Sequence, residues 1–169
     1  MVQLMLMLVL AIAFTYLIMV AQFQSLLSPF IIMFTLLLAF IGGFFALFLT
    51  GSEVSVIAVI GFVMLSGIIV NNGIVLVDYI NQLRERGIEK RDAILEAGRT
   101  RLRPVLMTAL TTIFGLLAMA FSKGMGADLS RPMALVTIGG LTYGTVLTLV
   151  VIPCIYDIVH PEKKKKRKR

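Results

Sequence analysis

Charged residues divide the chain into long apolar stretches. No Asp, Glu, Lys or Arg occurs from Met1 to Ser52, and three further uncharged stretches cover residues 54–77, 104–122 and 132–156. A helix that crosses the hydrocarbon core of a membrane needs about 20 predominantly apolar residues. Each of the last three stretches is long enough for one crossing, and the first is long enough for two.

The first stretch has a break near its middle, where polar residues and a proline predict a turn. It reads Gln22-Phe-Gln-Ser25 and is followed by Ser28-Pro29, a combination typical of loops. The sequence therefore predicts an all-α membrane protein, because lipid cannot satisfy the hydrogen bonds of irregular backbone. Polar and apolar residues do not alternate within these segments, which argues against a membrane β-barrel. The five predicted spans, in a helical bundle over residues 1–158, are about 4–21, 30–49, 55–80, 105–122 and 132–156.

The segment between the third and fourth spans predicts a sixth, shorter helix. Charges alternate with small and apolar residues from Glu89 to Arg99, as in a helix that lies at a membrane interface. Gly87 is a candidate C-terminal cap for the preceding helix. Pro104 is expected in the first turn of the fourth span, where its missing N–H is tolerated.

Basic residues predict the orientation of the bundle. Fourteen of the 16 Lys and Arg residues lie in two groups. Positive charge stays on the cytoplasmic side, and two spans separate the groups, so both fall on that side. The C-terminus is then cytoplasmic and the N-terminus extracytoplasmic, in a plasma (inner) membrane. A first span that begins outside at Met1, with no basic segment before it, indicates the C-terminal part of a larger protein. The groups are Arg84, Arg86, Lys90, Arg91, Arg99, Arg101 and Arg103, and residues 163–169 of a basic tail over 159–169.

Polar residues inside the spans are the candidate functional residues, since such groups are costly in a membrane. Asn71, Asn72 and Asp78 lie in the third span, and Asp78 shares a helical face with Asn71, seven residues earlier. A second set, of polar and small residues in the fourth span, lies on one helical face, because its members follow one another after seven, four and three residues. One hypothesis is that the two sets face each other along a hydrated proton or ion path. The alternative is that they only hydrogen-bond neighbouring helices. The second set consists of Arg101, Thr108, Thr112 and Gly115.

Small residues mark candidate helix contacts, and composition limits the chemistry. Gly140 and Gly144 are spaced as in close-packed membrane helices, as are Ala39 and Gly43 beside Gly42. The chain is 59% hydrophobic and 15% charged, with one Cys and one His, which excludes a disulfide framework and a Cys-based zinc site. No catalytic constellation is visible, so we expect no enzyme, no metal and no cofactor.

Three segments resemble one family. They are Ala21-Gln-Phe-Gln-Ser-Leu-Leu-Ser-Pro-Phe30, Gly67-Ile-Ile-Val-Asn-Asn-Gly-Ile-Val-Leu-Val-Asp78 and Glu96-Ala-Gly-Arg-Thr-Arg-Leu-Arg-Pro-Val-Leu-Met-Thr-Ala-Leu110. They resemble the resistance–nodulation–division transporters, in the hydrophobe/amphiphile (acriflavine-resistance-type) multidrug efflux branch. Val151-Ile-Pro-Cys-Ile-Tyr156 is similar to the last helix of that family. The resemblance covers nearly the whole chain except the basic tail.

The resemblance implies a fragment, spans eight to twelve, of a twelve-span proton-driven antiporter. It implies that Arg101 and Thr108 are proton-relay residues, with Asn72, and that Asn71 stands where many members have Lys. Asp78 and Thr112 are possible accessory polar residues. The energy source would be the proton gradient, and the partners would be the lipid bilayer and the rest of the transporter, as a homotrimer in the full-length form.

Two other interpretations are a small stand-alone membrane scaffold or regulatory subunit without transport activity, and a nucleic-acid-binding membrane protein. The second would rest only on the basic tail. The basic tail completes the topology signal or contacts anionic lipid, at about 1 kcal/mol per charge. Its position directly after a span argues against a nucleic-acid partner.

Overall fold

Five helices make up the described part of the chain. The structure, a computed structural model, describes residues 2–124 and 126–159. Within these residues the fold is all-α, without a strand, and each helix is long and apolar enough to cross a membrane. The predicted fold class is therefore confirmed, while the basic tail beyond residue 159 lies outside the described residues. The helices are α1 (Val2–Phe23), α2 (Leu27–Thr50), α3 (Val56–Glu85), α4 (Lys90–Ala120) and α5 (Ala127–Val159).

The predicted break between the first two spans is a tight turn. α1 ends at Phe23, and Gln24 adopts a positive φ of 48°. The Ser25 hydroxyl accepts a hydrogen bond from the backbone N–H of Leu27 at 3.2 Å, which satisfies one of the free donors at the start of α2. Pro29 lies in the first turn of that helix, where no hydrogen bond is lost.

α3 ends where Gly87 was expected to cap it. Gly87 has a φ of +86°, a conformation that glycine adopts without steric cost. Its N–H donates to the Arg84 carbonyl at 3.0 Å, and the N–H of Ile88 donates to the Leu83 carbonyl at 3.2 Å. This pair of bonds is the Schellman motif, and it turns the chain directly into α4.

α4 differs from the expectation of a separate interfacial helix over about 89–99. The structure has one helix from Lys90 to Ala120, with Pro104 inside it. Ala93 and Ala97 are fully buried in a cluster with residues of α3 and α5. This packing holds the first turns of α4 in the bundle, so the segment is the start of a longer helix and not a separate one. The charges of this segment do not end the helix.

α5 is the central helix and packs against α2, α3 and α4. A Cβ on Gly144 would lie 2.7 Å from Ile69, and one on Gly73 would lie 3.4 Å from Ile152. Later residues of α3 thus meet later residues of α5, so the two helices run parallel. α2 runs antiparallel to α5, since Gly139 faces Ala46 and Gly144 faces Ala39.

α1 lies at the edge of the bundle, against α2 and α3. Most of its apolar side chains are exposed in the isolated chain, and Met19 is its one fully buried hydrophobic residue among those described. In a membrane such a surface faces lipid or another helix.

Candidate functional site

Arg101 of α4 reaches across to α3. Its guanidinium carbon lies 4.6 Å from the centroid of the Tyr79 ring, the geometry of a cation–π contact. Its Nε atom is buried and has no hydrogen-bond acceptor within the described residues. The ion pair found among those residues joins Lys90 and Asp157, so Arg101 has no carboxylate there.

Thr108 and Thr112 continue from Arg101 along α4. The Thr108 hydroxyl donates to the Pro104 carbonyl at 2.9 Å, and the Thr112 hydroxyl donates to the Thr108 carbonyl at 2.9 Å. Thr108 is exposed in the isolated chain, and Thr112 is half-buried. Each hydroxyl oxygen keeps lone pairs that can accept a hydrogen bond from a further group.

The two neighbouring asparagines of α3 have different surroundings. Asn72 is 5% exposed, and its Nδ2 amide donor has no partner within the described residues. Asn71, at the preceding position of the helix, is exposed. Asp78 is also exposed, and it accepts a hydrogen bond from Gln82 Nε2 at 2.7 Å.

The Arg101–Tyr79 contact fixes the register of the antiparallel pair α3 and α4. Thr108 lies seven residues after Arg101, and Asn72 lies seven residues before Tyr79, so both lie at the same depth. The structure thus brings Arg101 onto α3 and aligns Thr108 with the asparagine pair. Among the described residues, no hydrogen bond or ion pair joins Arg101, Thr108 and the asparagine pair to one another. We call Asn71, Asn72, Arg101 and Thr108 the polar edge.

A second polar cluster, missed by the sequence analysis, connects the ends of α3 and α5. The fully buried Tyr156 donates its hydroxyl proton to Asn81 Oδ1 at 2.5 Å and accepts from Arg84 Nη1 at 3.2 Å. Nearby, Lys90 Nζ lies 2.7 Å from Asp157 Oδ1. Arg84 and Lys90 entered the sequence analysis only as topology signals. A tyrosine at the end of a span is common at membrane interfaces, and the sequence has no local signal for its partners on another helix.

Two buried threonines of α5 were also missed. Thr145 is 3% exposed and Thr148 is 1% exposed, and both hydroxyl oxygens lack a partner within the described residues. Thr137, on the same helix, instead donates to the Met133 carbonyl at 2.9 Å. Nothing in an apolar span distinguishes these threonines before the structure is known.

The glycines that the sequence marked lie at helix contacts. A Cβ on Gly42 would lie 2.5 Å from the Cβ of Tyr143, and one on Gly43 would lie 2.7 Å from the Phe62 ring. Gly140 lies against Leu65, and Gly144 lies against Ala39. These close approaches hold α5 between α2 and α3, and so fix where its polar residues meet α3.

Comparison with known proteins gives a consistent result over nearly the whole chain. The sequence model of the AcrB/AcrD/AcrF family matches residues 1–160. The swarming motility protein SwrC of Bacillus subtilis (strain 168) is 42% identical over 157 residues, which cover 92% of this chain and 15% of SwrC. The cobalt-zinc-cadmium resistance protein CzcA of Cupriavidus metallidurans is 38% identical over 150 residues, 89% of this chain and 14% of CzcA.

Solved structures agree with the sequence comparison. One crystal form of a heavy metal efflux pump superposes with a TM-score of 0.80 at 34% identity, over 88% of this chain and 15% of the pump. A second crystal form gives a TM-score of 0.74 over 89% of this chain. The chain thus spans about 15% of the length of the relatives that it matches. Its sequence and its five-helix fold show that the chain belongs to the AcrB/AcrD/AcrF family of resistance–nodulation–division efflux transporters.

Proposed function

We propose that the chain is the C-terminal membrane part of a proton-driven efflux transporter and forms one wall of its proton relay. In this proposal the polar edge supplies Arg101 and Thr108 from α4 and the two asparagines from α3. The rest of the transporter supplies the proton-binding carboxylates. When a carboxylate is protonated, α3 and α4 move, and this movement changes the conformation of the parts of the transporter that bind substrate.

The observation that carries this proposal is the unpaired cation of the fourth helix. An arginine guanidinium carries a positive charge, and a charge removed from water is destabilising when no opposite charge is near it. The Nε of Arg101 has no acceptor and its guanidinium has no carboxylate within the described residues. A carboxylate from the rest of the transporter would accept a hydrogen bond from Nε and balance the charge of the guanidinium. It would be released from Arg101 when it binds a proton.

The exposed members of the polar edge support the same arrangement. Thr108 and Asn71 are exposed in the isolated chain, within helices that are long and apolar enough to cross a membrane. Polar groups in a span usually face the interior of the helical bundle. A further helix packed over the edge would bury both residues and bring its own polar groups to them.

Asn71 gives this relay a different charge balance from that implied for many family members. An asparagine can donate and accept hydrogen bonds but cannot neutralise a carboxylate. Arg101 is then the cation that the polar edge itself offers to the relay. We therefore assign the charge-compensating role to Arg101 and a hydrogen-bonding role to the asparagines.

The substrate that we propose is an amphiphilic drug-like compound, as the resemblance to the multidrug branch implies. The similarity to CzcA, a cobalt-zinc-cadmium resistance protein, supports metal ions as the competing substrate class. Growth of a sensitive host that expresses the full-length transporter, on a panel of drugs and on cobalt, zinc and cadmium salts, decides between them.

The experiment for the relay is substitution of Arg101 in the full-length transporter. Arg101→Ala should abolish resistance while the protein remains in the membrane, because the carboxylates lose their counter-charge. Thr108→Ala should do the same by removing a hydroxyl from the proton path. Minimum inhibitory concentrations, with immunoblots of membrane fractions, measure both effects.

Matched controls separate the relay from general damage. Arg103→Ala removes an exposed arginine two residues away on α4, and Thr142→Ala removes an exposed threonine that also donates to a carbonyl four residues earlier. Both should leave resistance at the wild-type level. Wild-type resistance in the Arg101 and Thr108 variants would show that the relay lies elsewhere.

A further inference from the structure

Two buried threonines of α5 lack the hydrogen bond that most threonines in the helices make within their own helix. Eight helical threonines donate to a carbonyl three or four residues earlier in their own helix; they are Thr15, Thr35, Thr50, Thr108, Thr111, Thr112, Thr137 and Thr142. Thr145 and Thr148 do not, although both are more than 95% buried. A buried hydroxyl without a partner is costly, and the carbonyls four residues earlier were available as acceptors.

The register of α3 and α5 places Thr148 at the depth of Asn72. Thr148 lies four residues after Gly144, which meets Ile69, and four residues before Ile152, which meets Gly73. These two contacts bracket the depth of Asn72 on α3, so Thr148 and Asn72 lie at one level of the α3–α5 contact. Thr145 lies three residues before Thr148 and therefore on the same side of α5.

The unpaired atoms define what can bind between them. Asn72 Nδ2 can only donate a hydrogen bond, whereas each threonine hydroxyl can both donate and accept. A cation cannot accept the amide proton, and an apolar group would leave all three atoms unpaired. Water accepts and donates, and buried waters typically make about three hydrogen bonds to polar groups that otherwise lack partners.

We propose that Asn72, Thr145 and Thr148 bind ordered water between α3 and α5, and that proton transfer depends on this water. The proposal rests on the proposed relay, because Asn72 is a member of the polar edge and Thr108 lies at the same depth on α4. It extends that edge to α5, in which no polar candidate was identified from the sequence. Thr145 and Thr148 are positioning residues, which act through the water that they hold.

Thermal unfolding of the purified full-length transporter tests the water site without reference to transport. Thr145→Val and Thr148→Val keep the shape of the side chain and remove the hydroxyl. If the hydroxyls bind water, each variant should melt at a lower temperature than the wild type. If they are truly unpaired, valine relieves a buried polar group and the melting temperature rises. An unchanged or higher melting temperature overturns the proposal.

Transport by the same variants tests whether proton transfer needs the water. We expect the double variant to lose about tenfold in the initial rate of proton-coupled efflux, a factor comparable to one hydrogen bond. Thr148→Ser, made in the wild-type protein, keeps a hydroxyl at this position and should retain most of the wild-type rate. The control Thr142→Val alters an exposed threonine whose hydroxyl bonds its own helix, and it should change neither measurement.

The outcomes separate this proposal from the relay itself. Wild-type transport in the Thr145→Val/Thr148→Val variant, while Arg101→Ala is inactive, overturns the role of the water and keeps the relay. Wild-type transport in Arg101→Ala overturns the relay. The melting temperatures of the valine variants still decide whether the three side chains hold water.

Discussion

At the scale of single residues, the spacing of α5 from its neighbours depends on glycines that have no room for a methyl group. A Cβ on Gly139 would collide with the Cβ of Ala46 and would lie 3.0 Å from the Gly42 carbonyl oxygen. Neither atom can move by a side-chain rotation, because one is a Cβ and the other belongs to the backbone. The helices themselves would have to separate.

We therefore predict that Gly139→Ala lowers the free energy of unfolding by about 1–3 kcal/mol, the usual cost of overpacking a core. The matched control is Gly67→Ala in α3, where a Cβ would meet nothing within 4 Å. This control should be neutral or slightly stabilising, since alanine favours helix by up to about 1 kcal/mol over glycine. Thermal unfolding in detergent measures both, and equal midpoints for the two variants would contradict the packing argument.

At the scale of the helices, the sequence predicted the existence of each element better than its ends. Apolar stretches of the right length identify spans because the membrane imposes that length. The start of α4 could not be predicted this way, since Pro104 and a cluster of arginines both suggest a helix end. Burial of Ala93 and Ala97 against α3 and α5 outweighs those local signals.

The same scale explains why only part of the site was predicted. Arg101 and Thr108 share a face of one helix, so helical periodicity was enough to group them. Tyr156 and Asn81 are 75 residues apart, and only the parallel register of α3 and α5 brings them together. Thr148 depends on that register for the same reason. Contacts set by the packing of distant helices leave no pattern in either local sequence.

The cluster around Tyr156 should hold the ends of α3 and α5 more firmly than the ion pair beside it. Tyr156→Phe removes a fully buried hydroxyl that bonds Asn81 and Arg84, and we predict a loss of about 1–3 kcal/mol in the free energy of unfolding. Asp157→Asn removes a carboxylate that is 60% exposed, so the loss should be at most about 1 kcal/mol. Lys90 also still donates to the Asp157 backbone carbonyl.

Thermal unfolding of the two variants side by side checks this order. The contrast is informative because the substitutions are adjacent and each changes one polar group. A larger loss in Asp157→Asn than in Tyr156→Phe would mean that the charge pair, and not the buried hydroxyl, fixes the two helix ends.

At the scale of the whole molecule, the arrangement of helix ends bears on orientation. The Lys90–Asp157 contact brings the start of α4 and the end of α5 to the same side of the bundle as the α3–α4 turn. The basic residues of that turn and the end of α5 therefore lie on one side. By the positive-inside rule we predict that this side is cytoplasmic and that the turns after α2 and α4 are extracytoplasmic.

Labelling of single cysteines with a membrane-impermeant maleimide tests this orientation in intact spheroplasts. This chain has one cysteine, so Cys154→Ser, with any cysteine in the rest of the transporter also replaced, gives a background for Glu53→Cys, Glu89→Cys and Ser122→Cys, all at exposed positions. If the turns after α2 and α4 face outward as predicted, positions 53 and 122 should be labelled without permeabilisation. Position 89 should react only after the membrane is opened, because it lies beside the basic cluster. The reverse pattern would place the arginines outside, and the proposed relay would then take up its protons from the wrong side of the membrane for efflux.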